Sequence, residues 1–294
     1  MGSSHQEELA TRLAGWQPGM EPSDRFRDAS DEFWRWFQSQ AANGEDSPGR
    51  AGLPSADIQA RFTGWAGEDT LLEGFTIYRF VRDLCAANGQ SLTPTSDVLD
   101  FGCGWGRILR YFTKDVTSGH LHGTDVNDKM VTLCRELLPW ASVSHNQGQP
   151  PTQYRDDSFD VIYAYSVFSH LAEPIHRLWL EEFQRLLRPG GLAVLSIRPR
   201  FWLERRQQAR QAGSDTIPDR VASTFPDIDG ALARYDAGEF CFSNYSDEDS
   251  WFGEASIPLQ YVYSSWSALF DVVEIAEADG SELRQHLVVL RKNG

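Results

Sequence analysis

The stretch that most constrains the fold is glycine-rich and spans residues 97–111, with the sequence DVLDFGCGWGRILRY. Residues 98–101 form a short, mainly apolar run that is typical of a buried parallel strand. Three alternate glycines interrupt the run, Gly102, Gly104 and Gly106, and a helical composition follows them. A strand, a glycine turn and a helix in this order direct free backbone N–H groups and a positive helix end at one point. The stretch therefore predicts a site for a ligand that carries a carboxylate or a phosphate.

The spacing of these glycines indicates which ligand the turn accepts. A dinucleotide-binding turn has the pattern G-x-G-x-x-G, whereas the third glycine here comes one residue earlier. Asp100 lies two residues before the first glycine, where its carboxylate would repel a pyrophosphate but can receive an ammonium group, directly or through water. The spacing therefore disfavours a nicotinamide-dependent dehydrogenase.

Composition limits the class of protein and of partner. The 294 residues can bury a substantial core, and one large domain with an elaboration fits this length better than two equal domains. The formal net charge of −15 argues against a nucleic-acid partner, because binding phosphates requires concentrated lysine and arginine. No apolar run approaches the ~18–20 residues that span a membrane, and no secretory signal is visible at the N-terminus. We therefore expect a cytoplasmic protein without a membrane partner.

The cysteines are scattered and form no C-x-x-C pair: Cys85, Cys103, Cys134 and Cys241. We expect them to be reduced, buried thiols, as is usual in a cytosolic protein. The sequence shows no spacing typical of zinc ligands, so no metal is expected.

Strands and helices alternate after the glycine turn. Apolar side chains at helical spacing predict helices over residues 107–114, 128–138 and 173–188, and the last is expected to end through the glycines of residues 187–191. Apolar or alternating runs predict strands over residues 120–126, 141–146, 192–197, 270–276 and 286–291, with a buried fourth strand within residues 156–166. An Asp279-Gly280 turn joins the last two strands into an antiparallel hairpin.

Four short runs carry a resemblance to a known family. They are D-x-G-x-G-x-G at residues 100–106, S-F-D-x-I at 158–162, S-H-L at 169–171 and L-R-P-G-G at 187–191. Together they resemble the S-adenosylmethionine-dependent methyltransferases with the doubly wound, Rossmann-like (class I) fold. The resemblance covers residues 95–198 well, and the final hairpin in pattern. It implies an α/β fold with a seven-stranded sheet, mostly parallel with a C-terminal antiparallel hairpin, and helices on both faces.

The resemblance also implies S-adenosylmethionine as the cofactor, with the glycine turn against its methionine end. The residues expected to bind it there are Asp100, Phe101, Gly102, Cys103, Gly104 and Arg107. Asp125 stands where the second strand ends, and ligands of open parallel sheets bind at such ends. Its carboxylate can accept hydrogen bonds from both ribose hydroxyls, with Val126 beside it; the alternative role is that of a helix N-cap.

Other cofactor contacts are expected from residues further along the chain. Many family members carry an acid after the third strand to receive the adenine amino group, whereas this sequence offers Asn146 and Gln147. Tyr165 and Ser166 end the fourth strand and are expected to line the methyl-transfer site. Arg61 or Tyr78 can meet the cofactor carboxylate, and a solvated or core role is the alternative for each.

His170 is the candidate general base, because it follows the fourth strand and a histidine titrates in the useful range. The alternative is that His170 hydrogen-bonds the backbone at the start of the next helix. His176 lies further into that helix and is expected to be structural. The acceptor is expected to be a small molecule that reacts through oxygen or, next, nitrogen.

Four regions are predicted: an N-terminal helical extension or lid over residues 6–94, the cofactor-binding core over 95–198, a substrate cap over 199–257 and a closing segment over 258–294. In the extension, Ser30 is the expected N-cap of an aromatic helix that either packs on the core or covers a pocket. The helix of residues 70–87 places Leu72, Phe75, Tyr78 (or Phe80) and Leu84 on its apolar face.

The cap contains a polar helix over residues 201–211 and a turn-rich stretch through Pro226, and the last helix spans residues 258–269. The acceptor-lining residues are expected to be Tyr245, Trp251 and Tyr261.

Two further functions stay open at this point. A catalytically silent member of the same fold would act as a binding or scaffold protein, and a protein or nucleic-acid methyltransferase would need an open, charged groove. The sequence leaves both a monomer and a homodimer open.

Overall fold

The computed structural model describes residues 2–211, 224–246 and 250–293. Seven strands form one mixed sheet in the order β3 (Ser142–His145), β2 (Leu121–Asp125), β1 (Val98–Phe101), β4 (Phe159–Ala164), β5 (Leu187–Ile197), β9 (His286–Arg291) and β8 (Asp271–Ala276). Strands β6 (Cys241–Asn244) and β7 (Gly253–Ser256) form a separate pair. Neighbours β1/β2, β2/β3 and β4/β5 are parallel, whereas β5/β9 and β8/β9 are antiparallel. The predicted fold class, a mostly parallel α/β sheet with a C-terminal antiparallel hairpin, is confirmed.

The chain divides into two compact units, residues 1–146 and 147–294. The first unit contains seven α-helices and three strands within its described residues. Its elements are α1 (Gly2–Leu13), α2 (Pro22–Phe26), α3 (Asp31–Ser39), a 3-10 turn (Gln40–Asn43), α4 (Ala56–Thr63), α5 (Glu68–Ala87), β1 (Val98–Phe101), α6 (Leu109–Phe112), β2 (Leu121–Asp125), α7 (Asp128–Leu137) and β3 (Ser142–His145). Helix α1 starts before residue 6, where the predicted extension begins.

The N-terminal extension packs through its aromatic side chains. Ser30 caps α3 as predicted, since its Oγ accepts a hydrogen bond from the Phe33 N–H at 3.1 Å. Phe33, Trp34 and Phe37 are fully buried, and the Trp34 indole donates to the Tyr111 carbonyl at 3.0 Å. Trp36 is only partly buried, because aromatic residues at neighbouring helix positions cannot share one face. The packing alternative therefore describes this helix.

Helix α5 corrects one predicted core position. Leu72 is 48% exposed, whereas Leu71 is 1% exposed. Phe75, Tyr78 and Leu84 are buried as predicted. The buried face runs through positions 71, 74, 75, 78 and 81, which follow the i, i+3, i+4 spacing of a helix. A leucine pair at the start of a helix leaves two registers open, and the contacts of the folded unit select Leu71.

The second unit contains the remaining strands and the cap. Its described elements are β4 (Phe159–Ala164), a 3-10 turn (Phe168–His170), α8 (Glu173–Leu186), β5 (Leu187–Ile197), α9 (Phe201–Gln211), α10 (Ile228–Asp236), β6 (Cys241–Asn244), β7 (Gly253–Ser256), α11 (Leu259–Ser265), a 3-10 turn (Trp266–Ala268), β8 (Asp271–Ala276) and β9 (His286–Arg291). Of the predicted turn-rich stretch, residues 212–223 lie outside the described residues.

Three features of this unit differ from the prediction. Helix α8 ends with Leu187 in an extended conformation rather than at a glycine, and β5 starts there because Leu187 pairs with Phe159. Arg188 precedes a proline, which also disfavours a helical backbone. Helix α10 and the antiparallel pairing of β6 with β7, from Cys241↔Ser256 to Asn244↔Gly253, were not predicted. The last helix is shorter than predicted and ends in a 3-10 turn.

We expect Trp34→Leu to destabilise the protein by about 3–5 kcal/mol, because it opens a cavity and leaves the Tyr111 carbonyl without its donor. The matched control is Trp36→Leu in the same helix, which should cost about 1 kcal/mol or less. Urea unfolding of the two variants measures the difference. Equal losses would contradict the packing described for α3.

Candidate functional site

The glycine turn after β1 takes a backbone conformation that other residues rarely adopt. Gly102, Gly104 and Gly106 have φ angles of +81°, +53° and +83°, in the left-handed region that favours glycine. No heavy atom lies within 4 Å of the position that a Gly104 Cβ would occupy, whereas a Cβ on Gly106 would lie 2.9 Å from the Cys134 Sγ. Gly106 therefore allows the turn to pack on α7, and Gly104 faces open space.

Asp125, at the end of β2, is joined directly to this turn. Its Oδ2 accepts a hydrogen bond from the Gly104 N–H at 2.8 Å, and its Oδ1 accepts one from the Asn127 N–H at 2.8 Å. Burial raises the pKa of the Asp125 carboxyl, against the lowering effect of these N–H donors. Asn127 is the N-cap of α7, since its Oδ1 accepts from the Lys129 N–H at 3.1 Å. The helix-cap alternative for Asp125 is therefore taken by Asn127.

The residues on either side of the glycines serve the turn in different ways. Asp100 and Phe101 are buried on β1, 3% exposed each. The Cys103 side chain is buried as well, and its Sγ lies 3.0 Å from the position that a Cβ on Gly123 would occupy. The Cys103 N–H donates to the Thr124 carbonyl at 3.0 Å. Cys103 thus anchors the turn to β2 through its backbone, while its thiol packs inside the unit.

The two predicted adenine contacts, Asn146 and Gln147, differ in exposure and in hydrogen bonding. The Asn146 side-chain oxygen accepts a hydrogen bond from the Thr124 hydroxyl at 2.9 Å, and the Asn146 N–H donates to the Asp125 carbonyl at 3.1 Å. Gln147 is exposed, and Val126 is 50% exposed directly after Asp125. The Asn146 side chain therefore already holds the ends of β2 and β3 together.

Tyr78 and Arg107 have partners within the first unit. Tyr78 is fully buried, and its hydroxyl donates to Asp115 at 2.6 Å. Arg82 donates to the same hydroxyl and to Asp31 of α3, so Tyr78 belongs to a network that ties α3 to α5. This is the core role left open for it. Arg107 forms an ion pair with Glu73 at 2.7 Å, and Arg61 is exposed on α4.

The end of β4 carries an unusual backbone conformation in the second unit. Ser166 has φ +61°, and its N–H donates to the Ser196 hydroxyl at 2.6 Å. Non-glycine residues rarely adopt this left-handed backbone conformation, and those that do are often found at functional sites. Tyr165 and Ser166 are both half-buried.

His170 lies in a buried polar group that we call the Glu254 cluster: His170, Arg198, Arg206, Tyr245 and Glu254. One Glu254 oxygen accepts hydrogen bonds from both arginines, and the other accepts one from the Tyr245 hydroxyl. His170 Nδ1 lies 2.9 Å from the Gly253 carbonyl and 3.1 Å from the Tyr245 hydroxyl. Its Nε2 lies 3.2 Å from the Arg198 guanidinium.

Glu254 is ionised in this cluster. Burial acts to raise the pKa of its carboxyl, but the guanidiniums of Arg198 and Arg206 and the hydrogen bond from the Tyr245 hydroxyl act to lower it. Burial lowers the pKa of Arg206, against the raising effect of Glu254. His176, by contrast, is buried with its Nε2 2.6 Å from the Phe168 carbonyl, and burial lowers its pKa to about 3. His176 is therefore a neutral structural histidine, as expected.

Two of the three predicted acceptor-lining residues, Tyr245 and Trp251, pack on the same ring, that of Phe252, with centroid distances of 5.4 and 5.5 Å. Tyr245 contacts His170, whereas Tyr261 donates to Glu173 at 2.6 Å and the Trp251 ring packs on Gly148. The described part of the cap also holds an open cavity of about 440 Å³. Its lining consists of Phe225, Pro226, Asp227, Gly230, Arg234, Phe242 and Ser243.

Sequence reasoning missed Glu254, Arg198 and Arg206. Arg198 directly follows β5, and Glu254 lies in a short run of otherwise small or apolar residues. A charged residue within such a run is the one signal in the sequence that could have revealed Glu254, since a buried carboxylate requires partners. The two arginines that supply them lie 56 and 48 residues away in the chain, and no sequence pattern links them to it.

The geometry of the first unit fits the cofactor that the resemblance implies. The open side at Gly104 leaves space beside the turn, and the Asp125 carboxylate offers acceptor oxygens to ribose hydroxyls.

No helix within residues 2–211, 224–246 and 250–293 is both long enough and apolar enough to cross a bilayer.

Comparisons with known proteins identify methyltransferases among the relatives of this chain. Residues 98–191 match a family model described as a methyltransferase domain. The chain is 27% identical over 146 residues to the uncharacterized methyltransferase YdaC of Bacillus subtilis, which covers 48% of this chain and 78% of that protein. It is 34% identical over 109 residues to the tRNA (carboxymethyluridine(34)-5-O)-methyltransferase ALKBH8 of Mus musculus, covering 37% of this chain and 15% of that protein.

A third relative has a different kind of name. It is a probable phthiotriol/phenolphthiotriol dimycocerosates methyltransferase 2 of Mycobacterium ulcerans, 31% identical over 104 residues, or 35% of this chain and 40% of that protein. The chain thus spans less than half the length of this relative and of the mouse relative.

Among solved structures, an S-adenosylmethionine-dependent methyltransferase from Clostridium acetobutylicum has the same fold. The TM-score is 0.50 at 11% sequence identity, over 74% of this chain and 92% of that one. Residues 98–191 therefore form a methyltransferase domain, and the sheet order and the glycine turn joined to Asp125 match the Rossmann-like fold of the class I S-adenosylmethionine-dependent methyltransferases.

Proposed function

We propose that the protein transfers the methyl group of S-adenosylmethionine to an oxygen or nitrogen atom of a small molecule. The observation that carries the cofactor part is the hydrogen bond between the Gly104 N–H and the Asp125 carboxylate. It brings the glycine turn and the acid at the end of β2 to one place. There the Asp125 carboxylate would hold the ribose hydroxyls, and the turn of residues 102–106 would hold the methionine part.

The bound cofactor supplies a methyl group that its sulfonium already activates. The residues of this chain therefore have to hold the acceptor in line with the carbon–sulfur bond and exclude water. Such positioning supplies roughly 7–11 kcal/mol in favourable cases. An acceptor hydroxyl or ammonium must also lose a proton, where a positioned base typically gives about 10²–10⁴-fold.

His170 is our candidate for that base, and Tyr245 is the candidate acceptor-binding residue beside it. The support is that the two side chains are in contact at 3.1 Å and that both are partly exposed. The Nε2 atom of His170 faces Arg198, so His170 takes a proton through that atom only when the guanidinium has moved away.

A small acceptor is supported by charge. The formal net charge is −15, which opposes binding to a polyanion such as tRNA. The relatives include one named for tRNA and one named for phthiotriol dimycocerosates, so relatedness alone does not choose between the two. The four cysteines are free and buried, which supports the proposed cytoplasmic location.

Asp125→Ala should weaken binding of S-adenosylhomocysteine about 100-fold or more, because two charge-assisted hydrogen bonds are lost at roughly 1.5–3 kcal/mol each. Isothermal titration measures the change. Asp128→Ala removes an exposed acid three residues away and is the matched control, with unchanged affinity expected. If Asp125→Ala binds like wild type, or if wild type does not bind, the proposed cofactor site is wrong.

Asp125→Asn tests the charge of the same side chain through stability. The folded pKa of Asp125 lies above the usual 3.8, so the folded state binds a proton more readily than the unfolded chain. Relative to Asp125→Asn, wild type should therefore gain unfolding free energy as the pH falls through the folded pKa towards 3.8. Urea unfolding of both proteins between pH 7 and pH 4 measures this difference, and a constant or shrinking difference would contradict the buried charge.

The class of acceptor is tested by methyl transfer from tritiated S-adenosylmethionine into a fractionated bacterial extract. We expect label in the small-molecule fraction, above the level given by the Asp125→Ala variant. Label confined to the tRNA or protein fraction would overturn the proposed acceptor class. No label above that control in any fraction would favour a catalytically silent protein.

A further inference from the structure

The hydrogen positions in the Glu254 cluster follow from its donors. A guanidinium has only N–H donors and no acceptor. Arg198 lies 3.2 Å from His170 Nε2, so that nitrogen must present its lone pair. In the neutral ring the proton is then on Nδ1, which lies 2.9 Å from the Gly253 carbonyl and can donate to it. A proton on Nε2 would instead set two donors against each other.

The contacts of the Tyr245 hydroxyl indicate the same tautomer of His170. It donates to the Glu254 carboxylate, because the ionised carboxylate can only accept. Its oxygen lies 3.1 Å from His170 Nδ1 and can accept a share of the Nδ1 proton. These contacts of the ring, together with the 3.4 Å separation of Nδ1 from a Glu254 oxygen, agree with a single tautomer, with hydrogen on Nδ1 and a lone pair on Nε2.

Glu254 is the group that holds Arg198 in this arrangement. Its side chain is 3% exposed, and those of Arg198 and Arg206 are 9% and 6% exposed. The Nε atoms of both arginines are buried and have no hydrogen-bond partner within the described part of the chain. Much of the compensation for burying the two guanidinium charges therefore comes from the Glu254 carboxylate. Without the negative charge of Glu254, Arg198 is no longer held at the position from which it donates to His170 Nε2.

We propose that Glu254 is a positioning residue that, through Arg198, fixes His170 as the neutral Nδ1–H tautomer with its Nε2 lone pair engaged. This rests on the proposed function only in assigning the cluster to the acceptor side. His170 Nε2 becomes a base when another acceptor atom takes the Arg198 hydrogen bond, so an acceptor molecule with a free oxygen near Arg198 would itself make the base available.

The test is the pair of ¹⁵N ring shifts of His170 in the full-length protein at neutral pH, assigned by their loss in His170→Gln. We expect one protonated and one unprotonated nitrogen in wild type, with the proton on Nδ1. In Glu254→Gln, which keeps the shape but removes the charge, we expect both shifts to move towards the averaged values of exchanging tautomers. Glu182→Gln is the matched control, since Glu182 is also buried, 5% exposed, and pairs with Arg185 at 2.7 Å; it should leave the His170 shifts unchanged.

A proton on Nε2 in wild type, a doubly protonated ring, or Glu254→Gln shifts equal to wild type would overturn the proposal. If Glu254→Gln does not fold, Arg198→Lys carries the test, because it keeps the charge but loses the fork that spans Glu254 and His170. Titration of the same samples with S-adenosylhomocysteine separates the two claims. Absent binding in wild type contradicts the proposed function, whereas the ring shifts alone decide the role of Glu254.

Discussion

The geometry of the glycine turn after β1 depends on a hydrogen bond from the Gly104 N–H to the Asp125 carboxylate, 2.8 Å long. It joins a turn that requires left-handed backbone at residues 102, 104 and 106 to the acid that ends the next strand. Parallel pairing of β1 with β2, Phe101 opposite Thr124, sets this contact. Because adjacent parallel strands end at the same edge of a sheet, the turn and the acid meet without any specialised loop.

The partly buried carboxylate of Asp125 and the buried carboxylate of Glu254 have opposite electrostatic settings. Asp125 is held by backbone N–H groups, and burial raises its pKa. Glu254 lies between two guanidiniums, which contribute to a lowered pKa despite its burial. The Asp125 charge is costly, and its oxygens are suited to ligand hydroxyls. The Glu254 charge is stabilised by the two arginines that contact it. We propose ligand binding for Asp125 and side-chain positioning for Glu254, and the two residues lie in different units of the chain.

The sequence was most informative where function rests on local backbone. The glycine spacing, the position of Asp125 and the closing hairpin were predictable, because each is encoded within a few consecutive residues. The choice of Leu71 over Leu72, the β6–β7 pairing and the partners of Glu254 were not, because each is decided by contacts between distant segments. Tyr78 shows the same limit, since its bond to Asp115, 37 positions away, gives a core role that its own helix does not reveal.

A crystal structure of the protein with S-adenosylhomocysteine shows directly whether the glycine turn and Asp125 hold the cofactor. We expect the Asp125 carboxylate within about 3 Å of the ribose hydroxyl oxygens, and the methionine part against residues 102–106. A nucleoside bound elsewhere, or a ribose that does not touch Asp125, would show that this turn and this acid do not together form the cofactor site.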